Sequence, residues 1–328
     1  MNVFFQMRAL GLIGVCVAIA VDAADYVEPR RTISNKAING SSGLVPSILH
    51  PGVYFTHNDG TDNRIFAFDD KGRNRGTWSL EGVAGHDFEE MAWSMAHADQ
   101  LLLLADTGNN RSPERNPADV FHLHLIYAPD PLDPKDAEKP RVIKRDKITT
   151  VPFRFEGGRE DCEAMAIDWV RGQVLLINKV ARDAAPDSGS VTNVYALDYL
   201  KVYEALGEYE ADGGKGAPLV AKKIVKAMPP LPEQITGMDI ALDGSKAVIQ
   251  TYDDAYEFDF DTDWATTFAK PHSRKIPVKV EPTGHPKDYT FREAICYGRD
   301  GKSLYITREL SSWEIENTDR RTPLWRIR

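Results

Sequence analysis

The sequence predicts an all-β chain folded as a β-propeller, and three observations carry that expectation. The phrase EDCEAMAID, Glu160 to Asp168, echoes HDFEEMAWS, with Glu89 standing where Glu163 stands. Three further segments repeat the same kind of phrase, and a β-rich run follows each of the five after a short Gly, Pro, Asp or Gln turn. No continuous helical periodicity competes.

In chain order the repeats read as strand, turn, strand, loop, strand. SSGLVPSIL leads to VYFTHNDG and RIFAFD, and HDFEEMAWS leads to LLLLADTGNN and VFHLHLIYA. EDCEAMAID leads to VLLINKVAR and NVYALD, and ITGMDIALDG leads to AVIQTYDDA and AYEFDFD. FREAICYGRDG leads to LYITRELSS and PLWRIR, where the chain stops at Arg328. Such repeats, with long insertions in the outer loops, predict propeller blades. Five copies give five blades, or six if the interval Pro113 to Phe155 hides a degenerate copy. A β-sandwich with repeated hairpins is the remaining arrangement. The last copy shows three strands, whereas DYVEPRRTISNKAI precedes the first copy without a partner. The expected N-terminal strand therefore closes the ring. Asp130 to Lys147 and Gly207 to Lys223 are charged and read as solvated loops.

Residues 1–23 read as a signal peptide. Arg8 is the positive region, ALGLIGVCVAIAV the apolar one, and Val21-Asp22-Ala23 the small-residue cleavage site. The apolar run is too short to span a bilayer. The expectation is an exported protein, periplasmic or secreted, with residues 24–328 as one propeller domain and no membrane span in the mature chain. A net charge of -9 argues against nucleic acid as a partner. Cys162 and Cys296 remain after cleavage, and their positions in the repeat predict two buried free thiols.

Alignment of the copies places Ser42, Glu89, Glu163, the stretch from Gly237 to Asp239, and Glu293 at one position near the start of each innermost strand. In a propeller these strands surround a common channel, so the phrase recurs because each blade delivers one group to a shared axial site. The ends of the second strands align as Asn58, Asp106, Lys179, Tyr252 and Glu309, forming an outer polar ring on the same face. Asp59, Asp87 and Asp161 are expected on the rim. Two carboxylates about 5 Å apart repel by roughly 3 kcal/mol at an effective dielectric near 20. Protons, a cation, or Lys179 and Arg308 must offset that. Oxygen ligands with a hydroxyl and no Cys or His favour calcium, with Ser42, Glu89, Glu163, Asp239 and Glu293 as its candidate ligands. A hydrated channel mouth with partly protonated acids is the other reading.

The phrases SGLVPS, THNDG, DFEEMA, ADTGNN, DCEAMAID, TGMDIALDG, REAICYG and TRE together resemble a family of exported bacterial β-propeller proteins whose activity is largely unassigned. The succession Ser42, Glu89, Glu163, Thr236, Glu293 is more distantly similar to the calcium-activated apyrases. Those are five-bladed propellers with an axial calcium ion that hydrolyse nucleoside di- and triphosphates. The fourth position stays open between Thr236 and Asp239. The likeness implies a calcium site more strongly than it implies a nucleotidase.

Other signals are weaker. HNDG, His57 to Gly60, fits a general base and a tight turn equally well. His122 and His124 alternate along a strand and could chelate zinc, but no third ligand is in view. No serine-hydrolase elbow, Walker loop or zincin helix occurs. The leading expectation is a calcium-binding hydrolase of a phosphate ester or anhydride, a small anionic molecule. In it Lys179 and Arg308 meet the substrate, and Asp106 or Glu309 positions water. The alternative is a non-catalytic propeller in which calcium is structural and the insertions bind an extracytoplasmic protein or glycan. A glycan-cleaving site would need two of the acids about 5 to 9 Å apart with no metal between them.

Overall fold

The computed structural model describes residues 31–109, 119–180, 191–212, 217–278 and 292–327. The leader read at residues 1–23 lies outside them. The first strands are β1 (Arg31–Thr32), β2 (Ser41–Pro46), β3 (Val53–Asn58), β4 (Arg64–Asp69) and β5 (Asn74–Leu80). There follow β6 (Phe88–Ala96), β7 (Asp99–Asp106), β8 (Phe121–Tyr127), β9 (Arg141–Ile143) and β10 (Ile148–Phe155). Next come β11 (Cys162–Asp168), β12 (Gln173–Asn178), β13 (Val194–Asp198), helix α1 (Tyr199–Asp212) and β14 (Leu219–Val225). Then come β15 (Ile235–Ile240), β16 (Lys246–Thr251), β17 (Asp254–Asp259), helix α2 (Trp264–Phe268) and β18 (Arg274–Pro277). The chain finishes with β19 (Arg292–Tyr297), β20 (Leu304–Arg308), helix α3 (Ser312–Asn317) and β21 (Pro323–Ile327).

These strands form antiparallel meanders, arranged in a propeller-like all-β fold. One sheet runs β2-β3-β4-β5, extended by a parallel β9, and another runs β15-β16-β17-β18. An eight-stranded sheet joins two meanders, β6-β7-β8-β10 and β11-β12-β13-β14, through parallel pairing of their outermost strands β10 and β14. The last sheet is β19-β20-β21, completed by β1, which pairs antiparallel with β21. The N-terminal segment thus supplies the outer strand that the last repeat lacks.

The meanders follow one another around a circle. Strand β2 packs beside β6, β6 beside β11, β11 beside β15, β15 beside β19, and β19 returns to β2. The core is divided accordingly, with one apolar cluster between each successive pair of meanders. Side-chain alternation explains how a run such as LLLLAD serves both faces. Leu101, Leu103 and Ala105 of β7 enter the cluster shared with the third meander, while Leu102 and Leu104 enter the one shared with the first. Strands buried on both sides read as mostly apolar runs.

Two expected loops contain regular structure. The segment Asp130 to Lys147 holds β9 and a short 3-10 turn at Arg145–Lys147. Gly207 to Lys223 falls partly within α1 and β14. Tyr199, Val202, Tyr203, Ala205 and Leu206 recur at helical spacing and pack on the cluster around Phe153 and Leu197. That amphipathic stripe outweighs the polar residues around it. Cys162 and Cys296 are free and buried. Among the described residues no helix is long and apolar enough to cross a membrane.

A carboxylate ring at the start of the innermost strands

Every innermost strand carries a β-bulge at its beginning. The register shifts lie between Ser42 and Leu44, Phe88 and Glu90, Cys162 and Ala164, Ile235 and Gly237, and Arg292 and Ala294. The extra residue at each is Gly43, Glu89, Glu163, Thr236 or Glu293. A bulge takes one side chain out of the alternation. It thereby frees three glutamates from the apolar clusters on either side. The first meander has a glycine there because Gly43 has φ +61° and a Cβ would lie 2.3 Å from the Met91 nitrogen.

Seven carboxylates form a connected series at this level. Glu309, Glu293 and Asp59 bring one oxygen each within 4.8 Å of one another, and so do Asp59, Asp87 and Glu89, and Glu89, Asp161 and Glu163. At the Glu163 end, Lys179 Nζ donates to Glu163 Oε1 at 2.6 Å and lies 5.3 Å from the Tyr252 ring centre. The loop Thr107-Gly108-Asn109 after β7 packs against the acids, with Asn109 N–H donating to Asp161 Oδ1 at 2.6 Å. A Cβ on Gly108 would stand 2.0 Å from Glu89 Oε1. Only glycine lets this loop approach so closely.

Burial dominates the electrostatics. It raises Glu89 well above the usual carboxylate range, with Glu163, Asp59 and Asp87 adding to the effect. Burial raises Glu293 likewise, reinforced by Glu309, Glu163 and Asp59. Glu163 is pushed up to about 7 by burial, against the pull of Lys179. Asp161 is raised for the same reason, although Asn109 N–H draws it down. Burial draws Lys179 down, but Glu163, Tyr252 and Glu293 together hold it above its usual value. One lysine cannot neutralise seven acids, so the ring holds protons or takes a cation. Glu89 Oε1 is buried and has no hydrogen-bond partner among the described residues. Such an orphan acceptor, in an all-oxygen donor set without Cys or His, suits a hard cation such as calcium.

The other sequence-selected residues divide into those at the ring and those away from it. Ser42 lies one residue before the bulge, and its hydroxyl donates to the Glu89 carbonyl. Thr236, not Asp239, holds the fourth bulge position, and its hydroxyl donates to the Arg292 carbonyl at 2.7 Å. Asp239 sits three residues further along β15. Its carboxylate accepts from the Ile240 and Tyr297 N–H groups at 2.8 and 2.7 Å, and burial still pushes it up to about 7.

The outer-ring alignment shifts by one residue in the second meander. Asp106 pairs with Phe88 as Asn178 pairs with Cys162, so Thr107 is the equivalent of Lys179. Asp106 accepts from the His86 and Asp87 N–H groups instead. Asn58 ties down the preceding segment, accepting from the Asn39 and Gly40 N–H groups and donating to the Ala37 carbonyl. The buried Arg308 guanidinium is engaged by Glu314 through two hydrogen bonds, at 2.8 and 2.5 Å. That geometry removes Arg308 as a contact for an anionic ligand. His57 is wholly buried, with Nδ1 2.8 Å from the Asn58 carbonyl, and burial lowers it to about 4.

Two features escaped the sequence. Glu90, next to Glu89, is also buried and accepts from Met91 N–H at 2.9 Å and Met238 N–H at 3.1 Å. It lies below the ring, and the doubled glutamate of DFEEMA was its only signal. The second is a polar cleft of about 470 Å³ that runs out from Asp161 and Lys179. Arg159, Lys223 and Lys226 line it. Lys223 and Lys226 belong to one short basic run on and just after β14, part of which read as a solvated loop, whereas Arg159 comes from the segment before β11.

No family model matches the chain, and no curated protein matches it. A solved structure titled "Structure of U3-55K" is similar to it with a TM-score of 0.41 and 10% identity, over 91% of this chain and 98% of that one. Likeness at that level says nothing of chemistry, so the site is read from its own geometry.

Proposed function

We propose that the chain is an exported five-bladed β-propeller, closed by β1, whose axial carboxylates bind calcium and whose adjoining cleft binds a phosphorylated small molecule for hydrolysis. The observation that carries this reading is the junction between the two charge types. A ring of seven carboxylates, Asp59, Asp87, Glu89, Asp161, Glu163, Glu293 and Glu309, opens at Asp161 and Lys179 onto a cleft lined by Arg159, Lys223 and Lys226. An ester or anhydride phosphate fits both halves. The bases would hold its outer oxygens, and a divalent cation would supply charge for the transferred phosphoryl group. Lys179, in contact with Glu163, would orient the phosphate, and Glu309, grouped with Asp59 and Glu293, would position water.

A second reading is that calcium there is structural. Glu89, Glu163 and Glu293 come from three different meanders, and an ion touching them would tie those meanders together. The likeness to calcium-activated apyrases rests on the same bulge residues and supports the cation more than the chemistry.

The test is to strip mature chain of metal with chelator and follow thermal unfolding with calcium, magnesium or zinc, for wild type and Glu163→Gln. Saturation at about 100 times the dissociation constant adds about 2.7 kcal/mol, so a shift of several degrees is expected with calcium and not with the variant. Absence of any calcium effect in wild type refutes the cation site. Where the shift is found, phosphate release from a panel of phosphate esters and nucleotides separates the readings. Activity lost in Arg159→Ala with the thermal shift intact supports hydrolysis, and no activity on any ester leaves calcium structural.

A further inference from the structure

A second cluster of ligating side chains stands on the second meander, outside the carboxylate ring. His86 precedes β6, Asp106 ends β7, and His122 lies near the start of β8. The register sets Phe88 opposite Asp106 and Asp106 opposite His122, so the carboxylate and one imidazole are cross-strand neighbours. His86, two residues ahead of Phe88, turns back over them. One ligand atom from each of the three lies within 4.8 Å of the others. In sequence His122 and His124 have no third ligand in view, because Asp106 and His86 reach His122 only across the sheet.

We propose that His86, Asp106 and His122 form a separate metal site that takes zinc or a similar borderline divalent cation. The donor set distinguishes it from the axial ring: two imidazole nitrogens and one carboxylate oxygen suit zinc, whereas an all-oxygen set suits calcium. The carboxylate is already fixed, since Asp106 accepts from Asp87 N–H at 2.8 Å and from His86 N–H at 3.0 Å. His86 Nδ1 lies 3.1 Å from Asp106 Oδ2 and the His86 ring stacks on His122, with centroids 6.3 Å apart. Three protein ligands leave a coordination position toward solvent, because the His86 side chain is 51% exposed. The edge opposite solvent is closed by His124, whose ring stacks on His122 and whose buried Nε2 has no hydrogen-bond partner among the described residues. Zinc held by the three would need bonds of about 2.0 to 2.2 Å, and the half-exposed His86 ring has room to turn toward it. The site does not depend on the axial reading.

The experiment titrates metal-stripped, tag-free mature chain with zinc by calorimetry and with cobalt(II) by its visible ligand-field absorption. It compares wild type with His86→Ala, His122→Ala and Glu163→Gln. One zinc per chain is expected, with cobalt absorption of a low-coordinate nitrogen and oxygen site. Affinity should fall at least about tenfold in each histidine variant and stay unchanged in Glu163→Gln. His86 is exposed enough that its loss leaves the fold intact, and a circular dichroism spectrum checks this. The proposal is overturned if wild type binds no zinc, if both histidine variants bind as wild type does, or if Glu163→Gln alone abolishes binding.

Discussion

At the scale of single residues, the site is made by what glycine allows and what burial forbids. Gly108 sits so close that any side chain would strike Glu89 Oε1, the acceptor with no partner. Gly108→Ala is expected to leave the fold in place and to weaken the calcium-dependent rise in melting temperature at least about tenfold in calcium concentration, as read from melts across a calcium series. Asp239 gives a pH prediction. Its two N–H partners favour the charged form, yet desolvation wins and burial pushes its carboxyl up to about 7 in the folded chain, above the ordinary 3.8. A raised folded value means stability that is complete below pH 3.8 and is lost as pH rises toward 7. The loss is on the order of 4 kcal/mol at most by the conversion of pKa to free energy. Metal-stripped protein should therefore unfold at lower urea at pH 8 than at pH 5, and Asp239→Asn should reduce that difference. An unchanged difference in the variant would assign the pH dependence to other groups.

At the scale of elements, strands were legible and bulges were not. Inner, second and third strands of every repeat lie where the apolar runs place them, because strands buried on both faces are written mostly in apolar residues. The ends are harder to read. Asp106 and Asn178 both close their ladders, but polarity alone cannot say which residue is the last one paired, and so the alignment slipped at Asp106. Thr236 was one of two candidates because a hydroxyl and a carboxylate three residues apart look alike until a register exists. The outer strands β10, β14 and β18 went unremarked because they mix exposed and buried positions, and β5 because polar residues interrupt its apolar ones. Helix α1 did carry a readable stripe at Tyr199, Val202, Tyr203 and Leu206, obscured by the charged residues between. The short strand β1 has its own test. Ile33, just after it, is fully buried against Phe66, Phe68 and Leu324, and its N–H donates to the Thr322 carbonyl at 2.9 Å. Ile33→Ala is expected to cost about 2 to 4 kcal/mol in urea unfolding. A cost below about 1 kcal/mol would mean that the N-terminal segment contributes little to holding the last sheet.

At the scale of the whole molecule, the circular order of the meanders makes the axis a shared space. A bulge at the start of each inner strand serves that space and no single sheet. Glu90 shows what lies beneath it. The carboxylate leaves β6, whose neighbours in the circle are β2 and β11, and accepts from Met238 N–H of β15, which is neither. Such a bond must run across the middle. Glu90 therefore acts as a floor, with Gly237 wedged 3.1 Å, by its would-be Cβ, from both Glu90 Oε2 and the Glu293 carbonyl. The acids above thus rest on a bond that joins β6 to β15 across the axis. An ion held by them is expected to exchange with solvent through the face on which the inner strands begin.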